Sequence, residues 1–435
     1  MTDKRFKIAF PSPFSLVIGL TLFCFVLVLM RKEPQGMGIQ EKLISALNFW
    51  QFGFFGLLGF TVQMMMILVF GYALASCKPV HDFLKKVANF PKNGVQALMF
   101  TGIVTMFSGL LNWGFGLIIG ALMARFVGRA QKEKGNQPNY ALLASAGYLG
   151  MAVWHGGLSG SAPLKVAESG HFLKDQIGII PIEETILENF NLGMTGGLIG
   201  VLLAGLLFCE KYVKQSEQTI KPISLNAINP GKSFQLCGLV GLGILLILTI
   251  NYFSESVPDN SSVNLNVVNF ALFGLTMAVY KSFSKFSKAV SAGLKTSVDI
   301  FIQFPFYAGI LGLMTQSGLL IQFSDLLVSY SNQRTLPLIS YVSAGIVNFL
   351  VPSGGGQWAV QGPVLLTAGK SLGIPLNRLV MAFSYGDQIT NLLQPFWALP
   401  LLSITGVRAK NMLKYCFVLC VFGSLFLALA IYFFL

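Results

Sequence analysis

Four stretches of this sequence set polar or ionisable residues inside runs that are otherwise apolar, and their types suit the handling of ions and anions. In Ser384-Tyr385-Gly386-Asp387-Gln388-Ile389-Thr390-Asn391, followed by Gln394-Pro395, a carboxylate stands at the depth of a membrane span. A charge there is expensive, and an intramembrane ionisable residue is by default a functional one. Asp387 is therefore the candidate to carry a coupling proton or sodium ion, with Thr390 and Asn391 beside it. Proline removes a helix hydrogen bond and frees carbonyls at the same place. The plainer reading pairs Asp387 with Gln388 or Asn391 for packing.

The second stretch is Val351-Pro352-Ser353-Gly354-Gly355-Gly356-Gln357-Trp358-Ala359-Val360-Gln361-Gly362-Pro363. Gly354, Gly355 and Gly356 let the backbone approach a ligand, and the N–H groups that open the next helix carry positive partial charge, which suits an anion. Ser353, Gln357 and Gln361 add polar side chains, while Trp358 offers an apolar wall for a short acyl chain. A plain turn needs only the glycines. Asn112-Trp113-Gly114-Phe115-Gly116 follows the same logic with fewer polar groups, close helix packing through glycine being the competing explanation. Asn112 and Asn348, at equivalent places, are candidates to offer carbonyl oxygens to a coupling cation. In the fourth stretch, Trp154-His155-Gly156-Gly157-Leu158-Ser159-Gly160-Ser161, His155 either shuttles protons or sits neutral in a polar cavity that Ser159 and Ser161 line.

The elements that position these residues follow from composition. Hydrophobic residues make up 54% of 435 positions and charged ones 11%, about half the share usual in soluble proteins. Apolar runs near the roughly 20 residues that cross about 30 Å of hydrocarbon recur along the chain. Nine crossings are predicted, at 14–30, 47–77, 139–157, 191–209, 233–253, 265–280, 296–322, 377–407 and 415–434. The apolar stretches 94–127 and 336–370, each interrupted midway by polar and glycine residues, read as re-entrant hairpins. With a cytoplasmic N-terminus, 22 of the 30 basic residues fall in inner segments, as the positive-inside rule requires. Clusters at Lys85, Lys86 and Lys92 and at Arg125, Arg129, Lys132 and Lys134 flank the first hairpin, so it enters from the cytoplasm and returns there. The second enters from the outer side. The acidic stretch Glu168 to Glu188 is an outer connector with an interfacial helix, and the run from Phe14 to Met30, which lacks a small-residue cleavage site before Arg31, is a retained first span.

The halves match weakly but in order. Gly109-Leu110-Leu111-Asn112-Trp113 aligns with Gly345-Ile346-Val347-Asn348-Phe349, Tyr148 with Tyr385, and Ala162-Pro163-Leu164 with Leu399-Pro400-Leu401. The expected fold is an all-α polytopic membrane protein with inverted repeats, two re-entrant hairpins and discontinuous helices. Its parts are a first repeat over 1–210, a cytoplasmic loop and linking span over 211–264, and a second repeat over 265–435. Inverted repeats with broken helices mark transporters, because two halves facing opposite ways can trade which side is open.

Other classes fit less well. The net charge of +13 comes from short loops between apolar runs, so nucleic acid is not an expected partner. The six cysteines show no paired spacing and no histidine cluster, so neither disulfides nor a metal site are expected. Membrane-embedded enzymes need a metal cluster, a nucleophile beside a base, or paired acids; the spans hold one histidine and isolated aspartates, so no catalysis and no cofactor are expected. A scaffold would not need polar, glycine-rich breaks in both halves. A cation/proton antiporter, with Asp387 and the asparagines as its whole site, remains the rival transporter.

The run Val351 to Pro363, the segment Ser384 to Pro395 and the stretch Trp154-His155-Gly156-Gly157 together resemble the short-chain fatty acid transporter family, AtoE-type, over essentially the full length. That family looks like part of the larger ion transporter superfamily. The resemblance implies a multi-pass protein of a bacterial inner membrane that takes up acetoacetate, butyrate or similar small carboxylates. It further implies an elevator-like motion in a homodimer. With no Lys or Arg deep in a span, a bound carboxylate needs helix N-termini and a co-transported cation, which favours symport with a proton or sodium.

Overall fold

The computed structural model describes residues 13–31, 38–171, 173–213, 227–231, 236–253, 265–351 and 353–434. Lys4, Arg5, Lys7, Lys214, Lys221 and Lys232 of the charge count, and Pro352 of the glycine motif, lie outside them. The described residues are α-helical apart from turns, short 3₁₀ segments and one bridge between Cys77 and Ile228. In chain order, α1 (Pro13–Met30), α2 (Ile39–Gly56), α3 (Leu58–Ser76) and α4 (Lys78–Ala88) lead into α5 (Gly94–Leu111) and α6 (Trp113–Glu133). Then come α7 (Tyr140–Ala146), α8 (Ser161–Ala167), α9 (Lys174–Ile177) and α10 (Asn189–Tyr212). The second half has α11 (Leu236–Phe253), α12 (Leu265–Tyr280), α13 (Phe283–Leu294), α14 (Val298–Gln316) and α15 (Leu319–Ser329). It closes with α16 (Leu336–Leu350), α17 (Gly354–Ser371), α18 (Leu376–Thr390), α19 (Pro395–Thr405) and α20 (Ala409–Phe434).

Water cannot be the solvent of this surface. Leu22, Phe52, Leu236 and Phe433 stand exposed on α1, α2, α11 and α20, while Asn348, Gln357, Gln361, Asp387 and His155 are buried. That inversion suits a chain bathed in hydrocarbon, where helices satisfy their own backbone and polar side chains face each other. Among the described residues, six stretches are long and apolar enough to cross a membrane. The chain is a multi-pass membrane protein.

Two expected spans have different limits. The 47–77 crossing is part of α2 and α3, which run 38 residues with a break at Leu57, or about 57 Å against about 30 Å of hydrocarbon. Glu41 and Lys42 in the first turn of α2 hid its start from a hydropathy reading. The 296–322 crossing is two helices, because Gly318 adopts φ +72 and separates α14 from α15, the left-handed stop that glycine takes without strain.

Both predicted hairpins are helix–turn–helix units. α5 packs along α6, and their far ends are tied together by Lys134 Nζ, which donates to Pro91 O at 2.8 Å, and by Asn136 Nδ2, which donates to Lys92 O at 3.1 Å. The arms of the second unit diverge instead: α16 lies against α18, and α17 against α15 and α18. Its open end meets the acidic segment, where Lys370 Nζ donates to Gln176 O at 3.0 Å and Asn377 Nδ2 to Glu184 O at 2.9 Å.

Each unit is followed by a helix that breaks. After α7 the chain takes 3₁₀ turns at Leu149–Ala152 and Trp154–Gly156 before α8, and after α18 one at Asn391–Leu393 before α19. In each half a glycine of the first arm brings its backbone against the following broken helix. A Cβ on Gly109 would lie 2.7 Å from Gly150 Cα, and one on Gly345 would lie 3.1 Å from Thr390 Cγ2 and 3.4 Å from Gly386 O. The second arms cross over: α6 packs on α19, and α17 packs on α8.

Candidate functional site at the meeting of the two breaks

Breaking a helix in lipid leaves carbonyls that something must satisfy. Tyr148 does this for the second break, its hydroxyl donating to Asn391 O at 2.9 Å and to Gln394 O at 3.2 Å. At the first break Asn191 Nδ2 donates to Gly156 O at 2.9 Å, and the Tyr385 hydroxyl donates to Asn191 Oδ1 at 2.9 Å. The two tyrosines aligned by sequence thus each brace the break of the opposite half.

Between the breaks lies a buried ion-pair geometry. α18 carries Asp387 and the 3₁₀ turn carries His155, with Nδ1 and Oδ2 2.8 Å apart and neither side chain more than 1% exposed. The Ala162 N–H donates to His155 Nε2 at 3.0 Å, so that nitrogen holds a lone pair and the ring proton sits on Nδ1, facing the carboxylate. The His155 and Gly156 amides both donate to Gln388 Oε1, at 3.0 and 3.2 Å. Asp387 Oδ1 is buried without a partner, and among the described residues no lysine or arginine pairs with this carboxylate. A neutral imidazole leaves an ionised Asp387 uncompensated, which burial penalises by several kcal/mol, on the order of 5. A proton or a cation relieves that.

The tips of both hairpins reach this segment. At the first, the Trp113 N–H donates to Ser159 Oγ at 2.9 Å, and the Trp113 ring lies 6.3 Å from Trp154 and 5.1 Å from Trp397. At the second, a Cβ added to Gly354 would lie 3.1 Å from His155 Cε1, 3.1 Å from Trp154 Cη2 and 3.3 Å from Asp387 Oδ2. Gly354 therefore sits directly over the pair. Gly355 is exposed, and a Cβ there would meet nothing nearer than Ser161, at 4.0 Å. Ser353 caps α17, its Oγ accepting from Gly356 N at 3.2 Å. The Gly354 and Gly355 amides find no acceptor among the described residues.

Several sequence expectations meet a different geometry. Asn112 Oδ1 accepts from both Gly114 N and Phe115 N at 3.0 Å, so it caps α6 and has no lone pair left for a cation. The start of α6 is fully capped. Asn348 turns its amide nitrogen inward, donating to Asp387 O at 2.8 Å, Thr390 Oγ1 at 2.9 Å and Asn391 Oδ1 at 2.7 Å. Those oxygens already face a donor. Trp358 is 1% exposed and edge-on to Phe383 at 5.0 Å, packed in the core. Gln357 Nε2 bonds Ala344 O and Gln361 Oε1, both at 2.8 Å, and holds α17 to α16. The partner expected for Asp387, Gln388 or Asn391, is instead His155. Sequence reasoning singled out both members of that pair without joining them, gave Gln394 no role beyond its place before Pro395, and passed over Asn191. The signal for Asn191 was an amide that, with Asn189, opens an otherwise apolar helix.

The sequence profile of the short chain fatty acid transporter family matches residues 4–434. This chain belongs to that family. It is a family of transporters, not of enzymes. A "Putative short-chain fatty acid transporter" of Escherichia coli (strain K12) is 33% identical over 95% of this chain and 94% of its own. A protein of the same description from Haemophilus influenzae is 30% identical over 97% and 96%. Among solved structures, the Alcanivorax borkumensis YdaH transporter, described as having an unusual topology, aligns over 96% of this chain and 98% of its own, at 15% identity and a TM-score of 0.49. A score under 0.5 decides nothing about this chain.

Proposed function

We propose that this protein moves short-chain carboxylates of the acetoacetate and butyrate class across the bacterial inner membrane by proton-coupled symport. The observation that carries the reading is the buried His155–Asp387 contact between the two broken helices, with the glycine tip of α17 directly above it. The substrate carboxylate meets the Gly354 and Gly355 amides and the positive end of the α17 dipole. Ser353, Gly356, Ser159 and Ser161 surround it, and Trp154 and Trp113, rather than Trp358, wall its acyl chain. An ionised Asp387 beneath that tip repels a second carboxylate. A proton on Asp387 removes the repulsion, so substrate and proton bind together or not at all. His155, already donating from Nδ1, keeps the carboxyl oriented in either state.

The same reading takes the halves as inverted repeats and the hairpins as re-entrant from opposite faces. Support comes from their open ends, one tied to the basic loops around Lys92 and Lys134 and the other to the acidic segment, while both tips converge on Trp154 to Ser161. The crossed packing of α6 on α19 and α17 on α8 supports an elevator-like unit that moves as one body.

A sodium-coupled form is the second reading, favoured by two oxygens buried without partners: Asn348 Oδ1, whose amide nitrogen bonds Asp387 O, and Gln394 Oε1, whose amide nitrogen bonds Asn348 O. It is the weaker one, because the Asn348 amide nitrogen already occupies the oxygens a cation would take. Uptake of labelled acids of two to six carbons into proteoliposomes, against protein-free vesicles, tests the proposal. Accumulation driven by an inward proton gradient without sodium is expected; a strict sodium requirement selects the second reading. Proton-driven cation exchange with no acid uptake overturns both in favour of an antiporter.

A further inference from the structure

A cavity of about 770 Å³ lies away from the hairpin tips. Its walls are one stripe of α13 and the turn after it, the C-terminal end of α3 at Tyr72 and Ser76, the Ala227–Asn229 segment, and Ser403 of α19. Lys285, Lys288 and Lys295 line it, and their spacing puts all three within about 80° of one another around the helix axis. Among the described residues none of them pairs with a carboxylate, and the one acid in the wall is Asp299, in the first turn of α14. Ala289 and Gly293 bury the flank of α13 next to the lysines, with Gly293 against the Val69 backbone. The lysine stripe is thus held toward the cavity by packing on α3.

The cavity also borders the proposed moving unit. Ser403 is one and a half turns, about 9 Å, along α19 from Trp397, whose ring meets Trp113 at the first hairpin tip. Arg125 Nη1 donates to Ile404 O at 2.7 Å, placing this end of α19 beside the basic side of α6. We propose that the cavity is the vestibule through which the carboxylate substrate enters and leaves on the face bearing Lys285. There, the three lysines raise its local concentration before it passes along α19. The proposal rests on the carboxylate-transport reading above. A low-dielectric cleft lined by one sign of charge focuses the field and speeds encounter with the opposite sign, and salt screens that effect.

The test is zero-trans transport of labelled butyrate or acetoacetate from the Lys285 face, in singly oriented proteoliposomes, comparing wild type with a Lys285→Gln, Lys288→Gln, Lys295→Gln triple variant. At ionic strength about 0.01 M, where the screening length is about 30 Å, the variant's half-saturating concentration rises about fivefold or more. Its saturated rate, and its half-saturating concentration from the opposite face, stay at wild-type values. The gap closes near 1 M salt, and the Lys→Arg triple variant behaves as wild type. Equal values for variant and wild type at low salt overturn the vestibule while leaving transport standing; a wild type that carries no acid sinks both. If the effect of the lysines appears only in vesicles with anionic lipid, they are headgroup anchors, and the proposal fails.

Discussion

A hydrogen bond fixes which ring nitrogen of His155 faces Asp387, which their residue types alone do not. Because Ala162 N–H points at His155 Nε2, the imidazole donates from Nδ1 to the carboxylate, and the proposed mechanism makes Asp387 the group whose charge changes. Asp387→Asn keeps an acceptor for His155 Nδ1 and mimics the protonated acid, so its unfolding midpoint in detergent should differ little from wild type. His155→Ala strands both the carboxyl group and the Ala162 amide, and should destabilise by about 1–3 kcal/mol for each group left unsatisfied. Thermal unfolding of the two variants side by side checks this; equal losses would mean that the pair is not the buried anchor described. The neighbouring glycines divide by space. Gly354→Ala meets three atoms within 3.3 Å and should cut transport roughly tenfold, in line with about 1–3 kcal/mol of overpacking. Gly355→Ala has room and should keep near-normal rates, whereas Gly355→Leu fills the space above Ser161 and should block transport in a protein that still inserts. Uptake rates normalised to inserted protein measure all three.

At the scale of elements, the breaks are held by the opposite half. Tyr148→Phe leaves the Asn391 and Gln394 carbonyls without their shared donor and should cost about 1–3 kcal/mol, read as a lower unfolding midpoint; no change would show that another donor serves that break. Element positions were largely legible, because a 20-residue apolar run bounded by charge has few alternatives in lipid. The tips at Asn112 and Ser353 and the breaks after Ala146 and Thr390 fall where glycine, proline and amides interrupt such runs. What escaped was direction. Sequence places Trp358, Gln357 and Asn112 near a tip but cannot say that the first two turn inward, or that the third spends its oxygen on two amides of its own helix. The His155–Asp387 pairing was hidden for a similar reason: the partners lie 232 positions apart, and local patterns say nothing about such a separation.

For the whole molecule, the two halves share one interior. Apolar side chains cover the outside, and polar groups gather where the breaks and the α17 tip meet, so that the proposed binding and coupling sites fall on the same few residues. In the proposed mechanism coupling is a matter of charge balance: one acidic oxygen and one substrate carboxylate compete for a space that tolerates a single negative charge. The measurement that tests this most directly is butyrate transport by Asp387→Asn protein in proteoliposomes, with protein-free vesicles as baseline because neutral short-chain acids cross bare lipid. Wild type should concentrate butyrate under an inward proton gradient, while the variant should exchange labelled for unlabelled butyrate yet fail to concentrate it. Proton-driven accumulation by the variant at wild-type levels would contradict the account.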